Sequence, residues 1–202
     1  MRAVGEYSWL LEFDDGDERK ANERARRAAA LLHGLKPDGL VEAIPAARTL
    51  FVEGSPLFEA GILVGLEAGE IEVPPSPVAS HEIRVRFDGE DLPAVSAVSG
   101  VSKEELLETF CAATYTVGFL GFSPGFAYLY GLPRRLHLPR RGTPRLSVPA
   151  GSVAIAGPYA GIYPASMPGG WHLLGVADAP LFDAGRTPPV LFAPGDTVRF
   201  VP

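Results

Sequence analysis

Six basic side chains crowd into the twelve residues 134–145 of a chain whose net charge is −6. Cations that repel one another, when turn residues hold them together, often face an anion or an acidic partner. The planar guanidinium group suits forked contacts with carboxylate or phosphate. A solvated basic face is the alternative, and the sequence leaves both open. The six are Arg134, Arg135, His137, Arg140, Arg141 and Arg145.

The basic segment lies inside a longer stretch, residues 121–175, that is rich in glycine, proline and aromatic residues. This stretch holds ten of the 23 glycines and eight of the 20 prolines. Glycine permits a positive φ and proline fixes φ, so short strands joined by tight turns are expected. Apolar residues are interleaved throughout, which is not the composition of a disordered segment. We expect loops held in set shapes around a site.

Residues 121–125 match Gly-x-Ser-x-Gly, the pattern of a hydrolase nucleophile elbow. An elbow uses the backbone N–H after the serine for its oxyanion hole, and Pro124 has none. A helix follows an elbow, whereas glycine and aromatic residues follow Ser123. We therefore expect Ser123 to be chemically idle. Cys111 falls on the apolar face of a predicted helix, where a free cysteine is usually structural.

The sequence contains no familiar metal or nucleotide motif. The four histidines are scattered, and no two have the i, i+4 spacing of metal ligands. We predict no metal site in this chain. Without a Walker A sequence, a nucleotide phosphate would need arginines and backbone N–H groups. His172, within the dense stretch, is as consistent with a structural histidine as with an acid–base or substrate-contacting one.

Length and composition are those of a globular protein with a substantial core. The chain has 202 residues, of which 47% are hydrophobic and 21% charged. The acidic balance argues against a nucleic-acid partner, and no apolar run is long enough to cross a bilayer. A single cysteine excludes an internal disulfide, and the first residues do not resemble a secretion signal. We expect a cytoplasmic protein without nucleic-acid or membrane partners.

The first 75 residues have the pattern of a small α+β unit. The order of strands and helices, βαββαβ, is that of a ferredoxin-like (split βαβ) domain. Caps and apolar patterning define the elements. They are a strand at 7–13, a helix at 18–33 capped by Gly34, strands at 40–46 and 48–53, a helix from Ser55-Pro56 to about 68, and a strand at 70–73 or 81–87.

A proline-rich joint at residues 74–77 divides the chain. We predict an α+β fold with an N-terminal domain at 1–75, a linker at 76–81 and a second domain at 82–202. Ser102 begins a capping box, which predicts a helix that ends near residue 114. Only short strands and turns follow, which favours a β-barrel or sandwich with one helix against it.

Four segments of the second domain resemble a known family. The motifs are Gly-Phe-Ser-Pro-Gly-Phe-Ala-Tyr at 121–128, residues 139–157, Gly-Ile-Tyr-Pro at 161–164 and Pro-Gly-Gly-Trp-His-Leu-Leu-Gly at 168–175, with support at 81–92, 115–117 and 194–201. The family is the KipI family, which is also called the 5-oxoprolinase B subunit family and allophanate hydrolase subunit 1. The resemblance spans nearly the whole chain. It implies a small α+β domain followed by a cyclophilin-like β-barrel.

The resemblance also implies a function. Members are similar to one component of an ATP-dependent assembly that opens the lactam ring of 5-oxoproline to give glutamate. The implied partners are a homologous-fold protein of the KipA type, which is the C-type subunit, and a third, metal-type subunit. We expect the reaction to use ATP with Mg²⁺, and we expect a partner subunit to complete the site that binds them. The expected substrate is a small lactam or amide.

Two alternatives follow from the same resemblance. One branch of the family inhibits autophosphorylation of a sensor histidine kinase, which would make this chain a non-catalytic regulator. Other relatives are components of allophanate hydrolase or urea amidolyase.

We expect this chain to supply half of a shared active site, since it lacks a nucleophile and a metal site of its own. A cleft that faces the partner subunit would contain both residue sets. The expected catalytic residues are His172, Arg140 and Arg145. The expected substrate- or anion-binding residues are Phe126, Tyr128, Arg141, Gly151, Tyr163, Gly169, Gly170 and Trp171.

The proline-rich joint generates a prediction about the domains. Limited proteolysis should cut first between Val73 and His81, because exposed linkers are the preferred sites of cleavage. Gel electrophoresis and mass spectrometry of the fragments would locate the cut. Early cutting within residues 121–175 would contradict the prediction, because it would show that those loops are not rigid.

Overall fold

The computed structural model describes residues 1–71 and 78–202. The chain divides into two compact units, Met1–Pro77 and Val78–Pro202. Each unit has its own cluster of buried apolar residues. Of the predicted linker at 76–81, the first two residues lie outside the described ones. Ser80 and His81 belong to a strand, so the linker was predicted two residues too long. Independent folding of the predicted domains, 1–75 and 82–202, stays a prediction.

The first unit is a four-stranded antiparallel sheet with two helices. The strand order is β1-β2-β4-β3. The elements are β1 (Arg2–Gly5), β2 (Ser8–Glu12), α1 (Glu18–Leu35), β3 (Leu40–Pro45), β4 (Thr49–Gly54) and α2 (Gly61–Ala68).

Helix α1 forms because its N-terminus is capped and one face is lined with small residues. The Asp17 carboxylate accepts hydrogen bonds from the N–H groups of Arg19 and Lys20 at 2.8 and 3.2 Å. Four alanines and Leu32 on one face are nearly inaccessible to solvent. The predicted end was wrong by two residues: Gly34 is helical, and Lys36, at φ 47°, supplies the left-handed cap.

The ferredoxin-like order is wrong in its outer elements. Among the described residues of the first unit no strand follows α2, and β1 occupies the sheet edge beside β2. Of the alternatives for the last strand, residues 72–73 lie outside the described ones, and 81–87 contributes to the second unit instead. Helix α2 begins at Gly61 rather than at Ser55-Pro56, which form a turn.

The second unit is built on a closed barrel. Its order is β10-β7-β6-β13-β5-β12-β9, while β8 and β11 form a separate two-stranded ribbon. A 3₁₀ turn spans Arg134–Leu136. The other elements, in chain order, are β5 (Ser80–Arg86), α3 (Leu92–Ser99), α4 (Lys103–Ala112), β6 (Tyr115–Leu120), β7 (Ala127–Tyr130), β8 (Arg145–Val148), β9 (Ser152–Ala156), β10 (Tyr159–Ile162), β11 (Met167–Gly169), β12 (His172–Ala177) and β13 (Thr197–Val201).

Two apolar layers share the wall of the barrel. Ile155 and Leu174 point into the barrel core, whereas Ala154 and Leu173, one position earlier on the same strands, join a second cluster outside it. This alternation is what the two-residue period of a strand produces. Val148 of the ribbon belongs to the outer cluster. The ribbon therefore covers one outer face of the barrel.

Two helices pack against the barrel, where the sequence predicted one. Helix α4 begins as predicted, with the Ser102 hydroxyl accepting from the Glu105 N–H at 3.1 Å. Its Phe110 stacks on Phe200 of β13 at 4.9 Å between ring centroids. Helix α3 was missed. Across residues 1–71 and 78–202, no helix is both long and apolar enough to be a membrane span.

Just before α3, the backbone at Gly89 passes unusually close to the backbone of β12. The Gly89 N–H donates to the carbonyl oxygen of Leu174 at 3.1 Å. A Cβ at Gly89 would lie 2.3 Å from the carbonyl oxygen of Leu173 and 2.4 Å from the carbonyl carbon of Leu174. Only glycine fits there. The position fixes how the α3 N-terminus meets β12.

Gly89→Ala should therefore lower the free energy of unfolding by about 2–3 kcal/mol, because backbone atoms cannot move aside as a side chain would. Urea unfolding would measure the loss. Gly142→Ala is the matched control, since a Cβ there meets nothing within 4 Å. It should change stability by no more than about 0.5 kcal/mol. Equal effects of the two substitutions would contradict this account.

Candidate functional site

Two of the clustered arginines face a buried carboxylate of their own chain. Asp91, at the start of α3, is 4% exposed. Arg145 donates to both of its oxygens from Nη2, at 2.9 and 3.0 Å, and Arg141 donates at 2.7 Å. The Leu173 N–H donates to the same carboxylate at 2.8 Å. Arg145 also pairs with Glu90 at 2.6 Å. The anion that the sequence led us to expect is thus, in part, internal.

Asp91 is ionised in spite of its burial. Burial by itself would raise the pKa of this carboxyl group. The hydrogen bonds from Arg145 and the Leu173 N–H, with the charges of Arg145 and Arg141, outweigh burial and hold the pKa below its usual value. Burial would also favour neutral Arg145, but the two carboxylates raise its pKa. The group is therefore a charged network of two arginines and two acids.

Arg140 differs from its two neighbours. It is exposed and makes no ion pair or hydrogen bond with any residue in the part of the chain that the structure describes. Burial raises the pKa of the Tyr163 hydroxyl group, and the charge of Arg140 is near enough to oppose that rise. Arg135, by contrast, pairs with Glu105 of α4. Among the three arginines predicted for the site, Arg140 is the one whose guanidinium group is free.

Next to the charged network lies a cluster of aromatic rings on the outer face of the barrel. Phe126 is its centre and contacts Tyr128, Tyr163 and Trp171 edge-to-face, with ring centroids 5.2, 5.3 and 5.4 Å apart. Phe126, Tyr163 and Trp171 are at most 4% exposed, whereas Tyr128 is half-buried. Tyr128 also stacks on Phe119 at 4.4 Å. Of Phe126, Tyr128, Tyr163 and Trp171, Tyr128 is the one that is not buried.

The backbone of residues 169–171 joins the rings to the arginines. The Arg141 N–H donates to the Gly170 carbonyl at 2.8 Å. A Cβ at Gly169 would lie 2.2 Å from the Tyr163 hydroxyl oxygen, so glycine is required there. Burial raises the pKa of Tyr163, although the Trp171 N–H and the arginine charges act in the opposite direction. The predicted Trp171, Tyr163, Gly169 and Gly170 are therefore in one place.

Two of the predicted residues have structural contacts. The Gly151 N–H donates to the Tyr163 carbonyl at 2.7 Å, and the φ of Gly151 is 79° in a turn. His172 Nε2 lies 2.9 Å from the Pro139 carbonyl oxygen. Because a carbonyl oxygen only accepts, Nε2 is the donor. His172 Nδ1 is buried and has no hydrogen-bond partner among the described residues. The catalytic role of His172 stays a prediction.

Ser123 and Cys111, which we expected to be idle, lie against apolar neighbours, and their idleness stays a prediction. The Ser123 hydroxyl lies 3.5 Å from the sulfur of Met167, and β7 rather than a helix begins after the turn. Cys111 is half-buried on α4, and burial raises the pKa of its thiol. A raised pKa opposes the thiolate that a nucleophile or ligand requires.

Sequence reasoning missed Asp91 and Glu90. Both belong to the segment 81–92 that supported the family resemblance, so the signal was present. Asp196, by contrast, is structural: it accepts from the N–H groups of Ala79 and Ala193 at 2.8 and 2.9 Å and contacts His81 Nε2 at 2.9 Å.

Three features of the second unit define the class of domain. They are a closed barrel with a covering ribbon, an internal arginine–carboxylate network and an aromatic cluster. The family model described as carboxyltransferase domain, subdomain C and D, matches residues 1–192. The chain belongs to this family. It is 34% identical over 219 residues to the 5-oxoprolinase B subunit of Bacillus subtilis (strain 168), covering all of this chain and 91% of that protein. The predicted family is confirmed.

Two further matches give the extent of the similarity. The chain is 54% identical over 114 residues to the 5-oxoprolinase B subunit of Escherichia coli O157:H7, a match that covers 56% of this chain and 52% of that protein. The chain thus spans about half the length of the Escherichia coli relative that it matches. The crystal structure of TTHA0988 superposes with a TM-score of 0.85 at 40% identity, over 96% of this chain and 39% of the longer one.

The charged network generates a prediction about stability and pH. Asp91→Asn should lower the free energy of unfolding by about 3 kcal/mol at pH 7, because it leaves Arg145 buried with half of its counter-charge. A carboxyl group whose pKa is lower in the folded state stabilises the fold at pH values above its unfolded-state pKa of about 3.9. It loses that stabilising effect as the pH falls through its folded-state pKa. The difference in unfolding free energy between Asp91→Asn and the wild type should therefore become smaller below pH 4.

Urea unfolding at pH 7 and at pH 3 would measure both effects. Asp88→Asn is the matched control, because Asp88 pairs with Arg86 at the surface, where the two side chains are 49% and 73% exposed. Its loss should cost less than about 1 kcal/mol at either pH. A pH-independent effect of Asp91→Asn would show that size or packing, not charge, explains it.

Proposed function

We propose that this chain is a subunit of an ATP-dependent 5-oxoprolinase and contributes part of a shared active site. The observation that carries the proposal is the match to the Bacillus subtilis 5-oxoprolinase B subunit, which covers the whole chain. That relative is named as one subunit of its enzyme, which implies that there are others. We propose as partners a homologous-fold protein of the KipA type, hereafter the C-type subunit, and a third, metal-type subunit.

The proposed reaction opens an unstrained lactam, which needs an activated amide. ATP supplies the phosphoryl group that turns the amide oxygen into a leaving group. Water then adds to the same carbon, and the ring C–N bond breaks with the nitrogen leaving as the amine, which gives a glutamyl phosphate. A second water hydrolyses this acyl phosphate, so that glutamate, phosphate and ADP are the products. This chemistry requires stabilised negative charge and positioned groups more than it requires a protein nucleophile.

The residues of this chain fit a supporting role in such chemistry. Arg140 is exposed and unpaired among the described residues, so its guanidinium group is available for a phosphate or carboxylate. Arg141 and Arg145 already hold Asp91, and we propose that they position the loop and Trp171 instead of binding the anion directly. Tyr128 presents a half-buried ring beside them.

The fit to a metal ion is different. Within residues 1–71 and 78–202, no group of three or more His, Cys, Asp and Glu side chains is arranged to hold one. The proposal therefore assigns no metal-binding role to a residue of this chain. Any Mg²⁺ that accompanies ATP would be held by ATP and a partner subunit.

Two finer proposals go with the proposed function. We propose that the barrel is cyclophilin-like, which its closure and its two packed helices support. A likeness of fold would not imply prolyl isomerase activity. We propose a cytoplasmic location, which the single cysteine supports.

Co-expression with its partner subunits, followed by an assay of glutamate formed from ATP and 5-oxoproline, tests the proposal. Arg140→Ala should lower turnover of the complex at least about 30-fold, because a lost charge-assisted contact costs roughly 2–5 kcal/mol. Arg199→Ala, which removes an exposed arginine of β13, is the matched control and should leave turnover unchanged. Ser123→Ala should also retain activity.

Absence of ATP-dependent glutamate formation by the assembled wild-type complex would refute the proposed reaction. Wild-type turnover by Arg140→Ala would refute the role of Arg140 alone, and would leave its guanidinium group as a solvated charge. Loss of activity in Ser123→Ala by about 10³-fold would instead indicate a nucleophile.

A further inference from the structure

The Gly-x-Ser-x-Gly segment, which the proposed reaction does not use, folds into a tight and strained turn. The Ser123 N–H donates to the Gly121 carbonyl at 2.8 Å, which makes Phe122 the central residue of a γ-turn. The φ of Phe122 is 70°, in the left-handed region that bulky residues rarely occupy. The Phe126 N–H, which donates to the Ser123 carbonyl at 3.0 Å, closes the next turn.

The strained residue gains little from its own chain. Phe122 is 65% exposed, and its ring makes an edge-to-face contact with Phe126 at 5.6 Å between centroids. Glycine or asparagine at this position would relieve the strain without exposing an apolar ring. A strained conformation that local packing does not require points to a function of the side chain it presents.

Apolar side chains lie next to the turn at residues 121–125. Phe182 is 42% exposed, and its Cβ would lie 2.8 Å from a Cβ placed on Gly125. Met167 lies beside the Ser123 hydroxyl. The five residues of the turn carry no charge. Such a surface suits an apolar protein pocket better than ATP or a carboxylate ligand, which would need donors or cations.

Two observations identify the occupant as another protein of the proposed complex. The TTHA0988 chain is matched over only 39% of its length, so a domain of this type there shares its chain with further protein. The Phe122 ring also contacts Phe126, which in turn contacts Trp171 and Tyr163 of the proposed half-site. A protein bound at Phe122 would therefore lie next to the proposed half-site, which a partner must complete.

We propose that the turn at residues 121–125 is a docking element whose Phe122 inserts into an apolar pocket of the C-type subunit. This inference rests on the proposed function for the identity of that partner. The turn supplies rigidity through its own hydrogen bonds, so the ring is presented without the entropy cost of ordering a loop.

Calorimetric titration of this chain with the purified C-type subunit tests the inference. Phe122→Ala should weaken binding at least about 30-fold, as expected for an aromatic anchor at the centre of an interface. Phe122→Tyr should bind within about threefold of wild type. Val98→Ala, on α3, is the matched control, because Val98 is 70% exposed but lies in an unstrained helix. It should bind as wild type does.

Melting temperatures separate docking from a structural role. Phe122→Ala should melt within about 2 °C of wild type, and Phe122→Gly should melt at the same or a higher temperature, since glycine relieves the strain. Both should nevertheless lose affinity. A large loss of melting temperature together with wild-type affinity in the folded fraction would overturn the inference.

The remaining outcomes are also decisive. Wild-type affinity of Phe122→Ala would overturn the docking role while leaving 5-oxoprolinase activity of the complex intact. A wild-type chain that binds the partner but forms no active complex would refute the proposed function alone. If light scattering shows a homodimer that Phe122→Ala dissociates, or if the wild type does not bind the C-type subunit at all, the assigned occupant is wrong.

Discussion

The buried Asp91 carboxylate is the interaction on which the site depends. It joins four segments: the start of α3, the loop at Arg141, the first residue of β8 and the backbone of β12. Moving a carboxylate out of water is costly, and the cost is tolerable only when every lone pair finds a donor. Here two guanidinium groups and one N–H supply them. The same arrangement neutralises two arginines. Of the three arginines predicted for the site, Arg140 is the one that has no ion pair among the described residues.

Local signals were sufficient for much of the fold. The Ser102 capping box predicted α4, and the strands predicted at 7–13, 40–46 and 48–53 lie close to the observed ones. Helix α3 was missed because it is short and has no long apolar period, and β1 because its residues are exposed. Which strand occupies a sheet edge is a tertiary choice, so the ferredoxin-like order failed where β1, rather than a strand after α2, lies beside β2.

The sequence indicated which aromatic, glycine and arginine residues lie together, but it did not indicate the carboxylates that pair with the arginines. Aromatic residues, glycines and arginines of the dense stretch do meet around Trp171. The pairing of Arg145 with Asp91 spans 54 residues, and nothing in residue spacing encodes it. Burial was equally hidden, because a strand pattern shows that two faces alternate but not that the β8–β11 ribbon covers one of them. Tyr163 and Trp171 are inside for that reason.

The barrel closes through a parallel pair, β5 with β13, in which Ser80 lies opposite Thr197, 117 residues later in sequence. Asp196 stabilises the same end of this strand pair, because its carboxylate accepts a hydrogen bond from the Ala79 N–H. On the ribosome, β5 emerges long before its neighbour exists. Its unpaired edge must stay soluble while more than a hundred residues are translated, and the ring of strands can close only afterwards. Glu82, Arg84 and Arg86 are exposed on one face of β5, and their charges help to keep the unpaired strand from pairing with other chains.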